Sequence, residues 1–201
     1  MIIKDKRLMK VVNKNRKVVV PNGIEEIHSY ALSNCDMEEC VLPEGLKYIG
    51  YEAFSNNDKL LKLEIPSSIE HIRGDIIDDC DNLVDIIIYD NISTISRNAF
   101  IIKHDYIGNG KYINVVPSNV IIKYSSYERL DKLLNKLIVR GCFDNSSSYK
   151  LKLVGSGLSK KEKLLLCRKI VRLNYYDFIF IDNKDMDREY SFNIRKLVKK
   201  K

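Results

Sequence analysis

The sequence predicts a solenoid built from about four to five stacked repeats of 22–23 residues, with parallel strands on one face. The first observation is a regular spacing of prolines, which are 22 and 23 residues apart at Pro21, Pro43 and Pro66. The second is an isoleucine six residues after each of these prolines. A fixed period between 20 and 50 residues is typical of repeat architectures, in which each unit stacks on the next.

Each predicted unit begins with a short strand, seen in the sequence as VVVP, CVLP, LEIP and IIIY. Alternate residues of a strand point to one face, which places Val18, Cys40, Leu63 and Ile86 in the core. Proline ends the strand because it has no N–H group to donate to the sheet. A second extended piece and a short helical turn, often with an Ala-Phe pair, complete the unit. No unit can bury its apolar face alone, so neighbouring units must stack.

This pattern resembles the BspA-type leucine-rich repeat, whose consensus runs roughly I-x-I-P-x-x-V-x-x-I-x-x-x-A-F-x-x-C-x-x-L. The resemblance spans residues 18–125 and is closest in the second and third units, although Ile76 and Ile77 replace the Ala-Phe pair in the third. It implies an α/β leucine-rich-repeat solenoid with parallel strands on the concave face. For function, the resemblance implies molecular recognition of another macromolecule.

The chain divides into three predicted regions. Residues 1–17 form a basic N-terminal cap, residues 18–125 form the solenoid, and residues 126–201 form a basic α+β region. Within the last region the patterns predict the order α-β-α-β-β, as an elaborate cap or as a small separate domain. Residues 103–118, which contain two glycines and a proline, are expected to form an irregular loop or a degenerate fifth unit.

Charge is distributed in blocks along the chain, although the net charge is only +7. Residues 1–17 carry seven Lys or Arg and one Asp, whereas residues 18–100 carry five Lys or Arg and sixteen Asp or Glu. Residues 101–201 are again strongly basic. Such blocks indicate regions with different surfaces, which attract an outside partner or pack against each other.

Several function classes are not expected from this sequence. Five widely spaced cysteines without a C-x-x-C pair argue against a zinc site or a disulfide framework. The N-terminus lacks the apolar core of a signal peptide, and no stretch approaches the length of a membrane span. The three histidines lie far apart, and no nucleophile–base pair is evident. We therefore expect a cytoplasmic, non-enzymatic protein without a cofactor, a metal or a membrane partner.

The first candidate site is the concave face, formed by the residues that alternate with the core positions of the strands. These outward residues are Lys17, Val19, Glu39, Val41, Lys62, Glu64, Asp85 and Ile87. The pattern predicts an apolar strip interrupted by one glutamate, and the acidic solenoid favours a protein partner with a basic surface. One version is an inhibitor or adaptor of a nucleic-acid-binding protein. The alternative is an ordinary solvated sheet face, since valine and isoleucine also suit exposed strands.

The second candidate site is a basic helix in the C-terminal region, which starts at a capping box formed by Ser159 and Glu162. Its cationic residues could contact the phosphates of a nucleic acid, and they are Lys160, Lys161, Lys163, Arg168, Lys169 and Arg172. The other interpretation is a solvated helix face, which is the usual meaning of a run of like charge.

Overall fold

The structure is a computed structural model that describes residues 1–12, 15–143, 149–171, 178–182 and 189–191. In chain order the strands are β1 (Ile2–Lys4), β2 (Arg7–Lys10), β3 (Lys17–Val19), β4 (Glu26–Ile27), β5 (Glu39–Val41), β6 (Tyr48–Ile49), β7 (Lys62–Glu64), β8 (His71–Ile72), β9 (Asp85–Tyr89), β10 (Thr94–Ile95), β11 (Lys103–Gly108), β12 (Lys111–Val115), β13 (Asn119–Lys123), β14 (Lys150–Gly155), β15 (Phe178–Asp182) and β16 (Glu189–Ser191). The helices are α1 (Tyr127–Arg140) and α2 (Lys160–Val171).

The first strands of successive repeats line up in parallel, as the proline spacing predicts. β3 pairs with β5, and β7 pairs with β9, each in register one repeat later. The sheet continues from β9 through β13 and β14 to β15, all parallel, and ends at β16, which is antiparallel. Because β14 pairs directly with β13, the sheet runs from the repeats into the C-terminal region.

The second strands of the repeats form another parallel sheet on the opposite side of the core. The strand order is β1-β2-β4-β6-β8-β10, with only β1 antiparallel. One row of paired residues crosses this sheet from the N-terminus and is buried throughout: Leu8, Ile27, Ile49, Ile72 and Ile95. Residues 1–12 thus contribute two strands, β1 and β2, to this sheet, although the sequence predicted only a basic cap there.

The core lies between the two sheets and is closed by the turns that follow the second strands. Ala53 and Phe54 of one repeat are fully buried, and so are Ile76 and Ile77 of the next. The larger aliphatic pair therefore occupies the place of the Ala-Phe pair without leaving the core. Burial of these side chains is the main stabilising term, at about 25 cal/mol for each square ångström of apolar surface.

Residues 103–118 do not form an irregular loop, which was one of the two structures that the sequence predicted there. Most of this segment is the antiparallel hairpin of β11 and β12, in which Tyr106 lies opposite Tyr112. Asn109 and Gly110 both have positive φ at the turn, which is the geometry that an Asn-Gly pair favours in hairpins. The correct signal was therefore present in the sequence as the dipeptide NG.

The C-terminal elements follow in the order α1, β14, α2, β15, β16. Ser126 caps α1 by accepting a hydrogen bond from the backbone N–H of Arg129, and Gly141 ends the helix in the left-handed conformation. Ser159 and Glu162 form the predicted capping box of α2. The sequence also predicts that α2 ends at about Asn174, that FDNSSS over 143–148 is a turn or short linker and that residues 183–187 form a turn. Asn174 and residues 144–148 and 183–187 lie outside the described residues.

Neither of the two described helices is long and apolar enough to cross a membrane.

Candidate functional site

The candidate site is the outward side of β3, β5, β7 and β9, and we call it the strand face. It consists of the eight predicted residues Lys17, Val19, Glu39, Val41, Lys62, Glu64, Asp85 and Ile87. Strand alternation positions them, because the residues between them, such as Val18 and Leu63, are buried in the core. The parallel register then brings equivalent residues of successive repeats side by side.

Two valines give the strand face an exposed apolar centre. Val19 and Val41 are register partners on β3 and β5, and they are 51% and 40% exposed. Leu61, just before β7, is 58% exposed and adds to this surface. A cluster of exposed aliphatic side chains on a rigid sheet can supply the buried centre of a protein interface.

The two glutamates of the strand face are paired with cations of other strands. Lys17 on β3 contacts Glu39 on β5, with 2.7 Å between the ammonium nitrogen and the carboxylate oxygen. Lys123 on β13 contacts Glu64 on β7 at 2.6 Å, and the hydroxyl group of Tyr89 donates to the same oxygen at 2.9 Å. Partial burial opposes ionisation of Glu64, but the hydrogen bonds from Lys123 and Tyr89 prevail and lower the pKa of its carboxyl group.

Ile87 does not belong to the exposed strip that the sequence predicted. It lies on β9 between β7 and β13, and it is only 5% exposed. Since β9 separates these strands, the ion pair between Glu64 and Lys123 must cross over it, and these long side chains cover the centre of the strand. The strand face is therefore apolar at β3 and β5 and polar at β7 and β9.

A pocket of about 360 Å³ opens at the boundary between the apolar and polar halves. Its walls come mainly from β5, β7 and the residues that flank them: Glu38, Glu39, Cys40, Val41, Leu42, Glu44, Leu61, Lys62, Glu64, Pro66 and Tyr89. Within the described residues, no backbone hydrogen bond joins β5 to β7, although the two strands are neighbours. The pocket therefore lies at an interruption of the parallel sheet.

Ion pairs within the chain join its basic and acidic blocks. The basic N-terminal segment pairs with glutamates one repeat later, through Lys6–Glu25, Arg7–Glu26, Arg16–Glu38 and Lys17–Glu39. Two cations from the second basic region, Lys103 and Lys123, also pair with carboxylates of the solenoid. Residues of opposite charge blocks thus contact each other within the chain.

The residues of the predicted basic helix differ in how accessible they are. Lys160, Lys161 and Arg168 on α2 are exposed. Lys169 forms an ion pair with Asp131 of α1, which joins the two helices. Lys163 lies 6.0 Å from the centre of the Phe180 ring. Arg172 is outside the described residues.

All five cysteines are free thiols; Cys35, Cys80, Cys142 and Cys167 are buried, whereas Cys40 is half-buried. Burial raises the pKa of Cys40 and of Cys80 to about 12, so that both thiols stay protonated at neutral pH. In the described part of the chain, no group of three His, Cys, Asp or Glu side chains is arranged to hold a metal ion.

The fold and the strand face together define a solenoid of the binding-scaffold class, in which stacked repeats present the outward side of their strands. The model of the BspA type leucine rich repeat region matches residues 3–133 in six copies, and the chain belongs to this family. The match starts earlier, ends later and contains more copies than the predicted four to five repeats over residues 18–125. Such repeats generally serve protein–protein interaction and are typically non-enzymatic. Comparison with curated proteins gives no match.

Proposed function

We propose that this protein is a protein–protein interaction module that binds a macromolecular partner through the strand face. The observation that carries the proposal is the exposed Val19–Val41 pair beside the pocket between β5 and β7. An apolar centre with a charged rim is the usual anatomy of a protein interface. Membership in a repeat family that generally mediates protein–protein interaction supports the same function.

More specifically, we propose that the partner is a nucleic-acid-binding protein and that this chain acts as its inhibitor or adaptor. The excess of acidic residues over 18–100 supports a basic partner surface, because opposite charges speed encounter and fix orientation. The internal ion pairs reduce this charge, so we assign most of the affinity to the apolar contacts of the strand face.

We further propose that residues 126–201 act as the C-terminal cap of the solenoid. The in-register pairing of β14 with β13 supports this role, because it covers the sheet edge that the last repeat would otherwise expose. The ion pair between Lys169 and Asp131 holds the two helices of this region together.

Capture of partners from the host lysate should depend on the two exposed valines. In the double variant Val19→Asp, Val41→Asp, the two carboxylates would have to be desolvated in the interface, so we expect at least a tenfold loss of the captured protein. The substitutions are at exposed positions and should leave the fold intact. The matched control is Val139→Asp on α1, where the side chain is 82% exposed, and it should capture as the wild type does.

The alternative function is nucleic-acid binding through the exposed cations of α2, which are Lys160, Lys161 and Arg168. Treating half of the lysate with nuclease separates the two functions. Nucleic-acid binding would be favoured by partners that are lost after nuclease treatment and are captured equally by the wild type and the valine variant. Their capture should also fall steeply as the salt concentration rises. A protein that survives nuclease and is lost from the double variant would support the strand face.

A further inference from the structure

The pocket between β5 and β7 combines an apolar wall with a carboxylate rim. Val41, Leu42, Leu61 and Pro66 provide the apolar surface. Four glutamates, Glu38, Glu39, Glu44 and Glu64, and a single cation, Lys62, provide the charged surface. A ligand that fits these walls needs an apolar stem and a cationic head.

Three of the four glutamates are held by cations that lie outside the pocket. Arg16 and Lys17, at the start of the neighbouring strand β3, pair with Glu38 and Glu39. Lys123, on β13 beyond β9, pairs with Glu64. None of these three cations lines the pocket. The ion pairs therefore draw the charged side chains apart on the two sides of the sheet interruption, which leaves the pocket open between them.

Glu44 is the rim carboxylate that has no cationic partner among the described residues. Its two oxygens accept hydrogen bonds from the backbone N–H and the hydroxyl group of Ser67, at 3.3 and 3.1 Å. A carboxylate offers about four acceptor positions, so Glu44 can also accept from a ligand. It is the rim residue best placed to receive a new positive charge.

We infer that this pocket receives a lysine or arginine side chain from an extended segment of the partner polypeptide, a conclusion that rests on the proposed protein-binding function of the strand face. Both residues carry a long aliphatic stem that can lie on Val41 and Leu61 and a cationic head that can reach Glu44. The chain shows the same chemistry internally, because the guanidinium group of Arg16 forms two hydrogen bonds with the carboxylate of Glu38.

The experiment selects ligands for the full-length protein from a library of random twelve-residue peptides displayed on phage. We expect the selected peptides to share a lysine or arginine at one position. The dissociation constant of a synthetic selected peptide is then measured by fluorescence anisotropy against four proteins. They are the wild type, Glu44→Gln, Lys62→Gln and the control Glu52→Gln. Like Glu44, Glu52 has no Lys or Arg partner among the described residues, but it does not line the pocket.

In Glu44→Gln, the amide oxygen can still accept from the backbone N–H of Ser67 and the amide nitrogen can donate to the Ser67 hydroxyl group. The negative charge is lost, so the substitution should weaken the peptide about tenfold. Lys62→Gln removes a like charge and should strengthen binding a few-fold, whereas Glu52→Gln should change nothing. Selected peptides rich in Asp or Glu that lose affinity in Lys62→Gln would overturn the inference but leave the strand face as the binding site. Failure to select any peptide, or binding that ignores both Glu44→Gln and Lys62→Gln, would also overturn it. In those cases the capture experiment with Val19→Asp, Val41→Asp independently decides the proposed function.

Discussion

Replacing Asn57 by alanine should lower the free energy of unfolding by about 3 kcal/mol, since buried polar groups would lose their partners and a cavity would form. The fully buried amide group of Asn57 joins two repeats. Its nitrogen donates to the carbonyl oxygens of Leu32 and Phe54, at 2.9 and 2.6 Å, and its oxygen accepts from the backbone N–H of Cys35 at 3.1 Å. Urea denaturation followed by circular dichroism measures the change.

The control for this prediction comes from the repeats themselves. Cys80 occupies the equivalent position one repeat later, and its thiol donates to the carbonyl oxygen of Phe54. Asn57→Cys should therefore fill the site and cost only about 1 kcal/mol, since a thiol is small, apolar and a weak donor. Equal stability of the alanine variant and the wild type would show that the amide network does not hold the repeats together.

Replacing Gly50 by alanine should cost about 2–3 kcal/mol, because a methyl group there has no room. A Cβ atom at this position would lie 2.5 Å from the backbone nitrogen of Ser29 and 2.8 Å from the backbone carbon of His28. Both atoms belong to the main chain of the preceding repeat, so relief requires the two repeats to separate. The same denaturation experiment measures the loss.

Gly74→Ala is the matched control, because the nearest atom to its added Cβ is 3.8 Å away. This variant should keep wild-type stability or gain slightly, since alanine restricts the unfolded chain more than glycine does. If Gly50→Ala were as stable as Gly74→Ala, the close approach of the repeats at Ser29 would be contradicted.

The repeat architecture was predictable because its signals are local and recur. A proline after the strand in three of the repeats and an isoleucine six residues later fix both the period and the register. Cys35, Asn57 and Cys80 also stand at the same position of successive repeats, which is typical of a turn that packs against the neighbouring repeat. The charge blocks indicated regions that could pack together, but the particular pairs, such as Arg16 with Glu38, follow only from the stacking register.

The candidate site was only partly predictable, because long side chains cross strand boundaries. Alternation placed Ile87 on the outward side, but it could not show that Lys123 reaches over β9 to Glu64. It also could not show the interruption between β5 and β7, which depends on backbone spacing rather than on residue type. The sequence analysis therefore did not include Leu61 and Glu44, which line the pocket at this interruption. At Leu61, an apolar residue directly before a strand could have indicated an exposed apolar side chain.

Hydrogen–deuterium exchange of the protein alone and in complex with its captured partner tests most directly whether the strand face is the binding site. We expect slower exchange in the complex over residues 38–44 and 61–66, which carry the pocket and Val41 of the apolar centre, with no change in α2. Protection confined to α2 or to the β11–β12 hairpin, with residues 38–44 and 61–66 unchanged, would contradict the assignment of the strand face as the binding site.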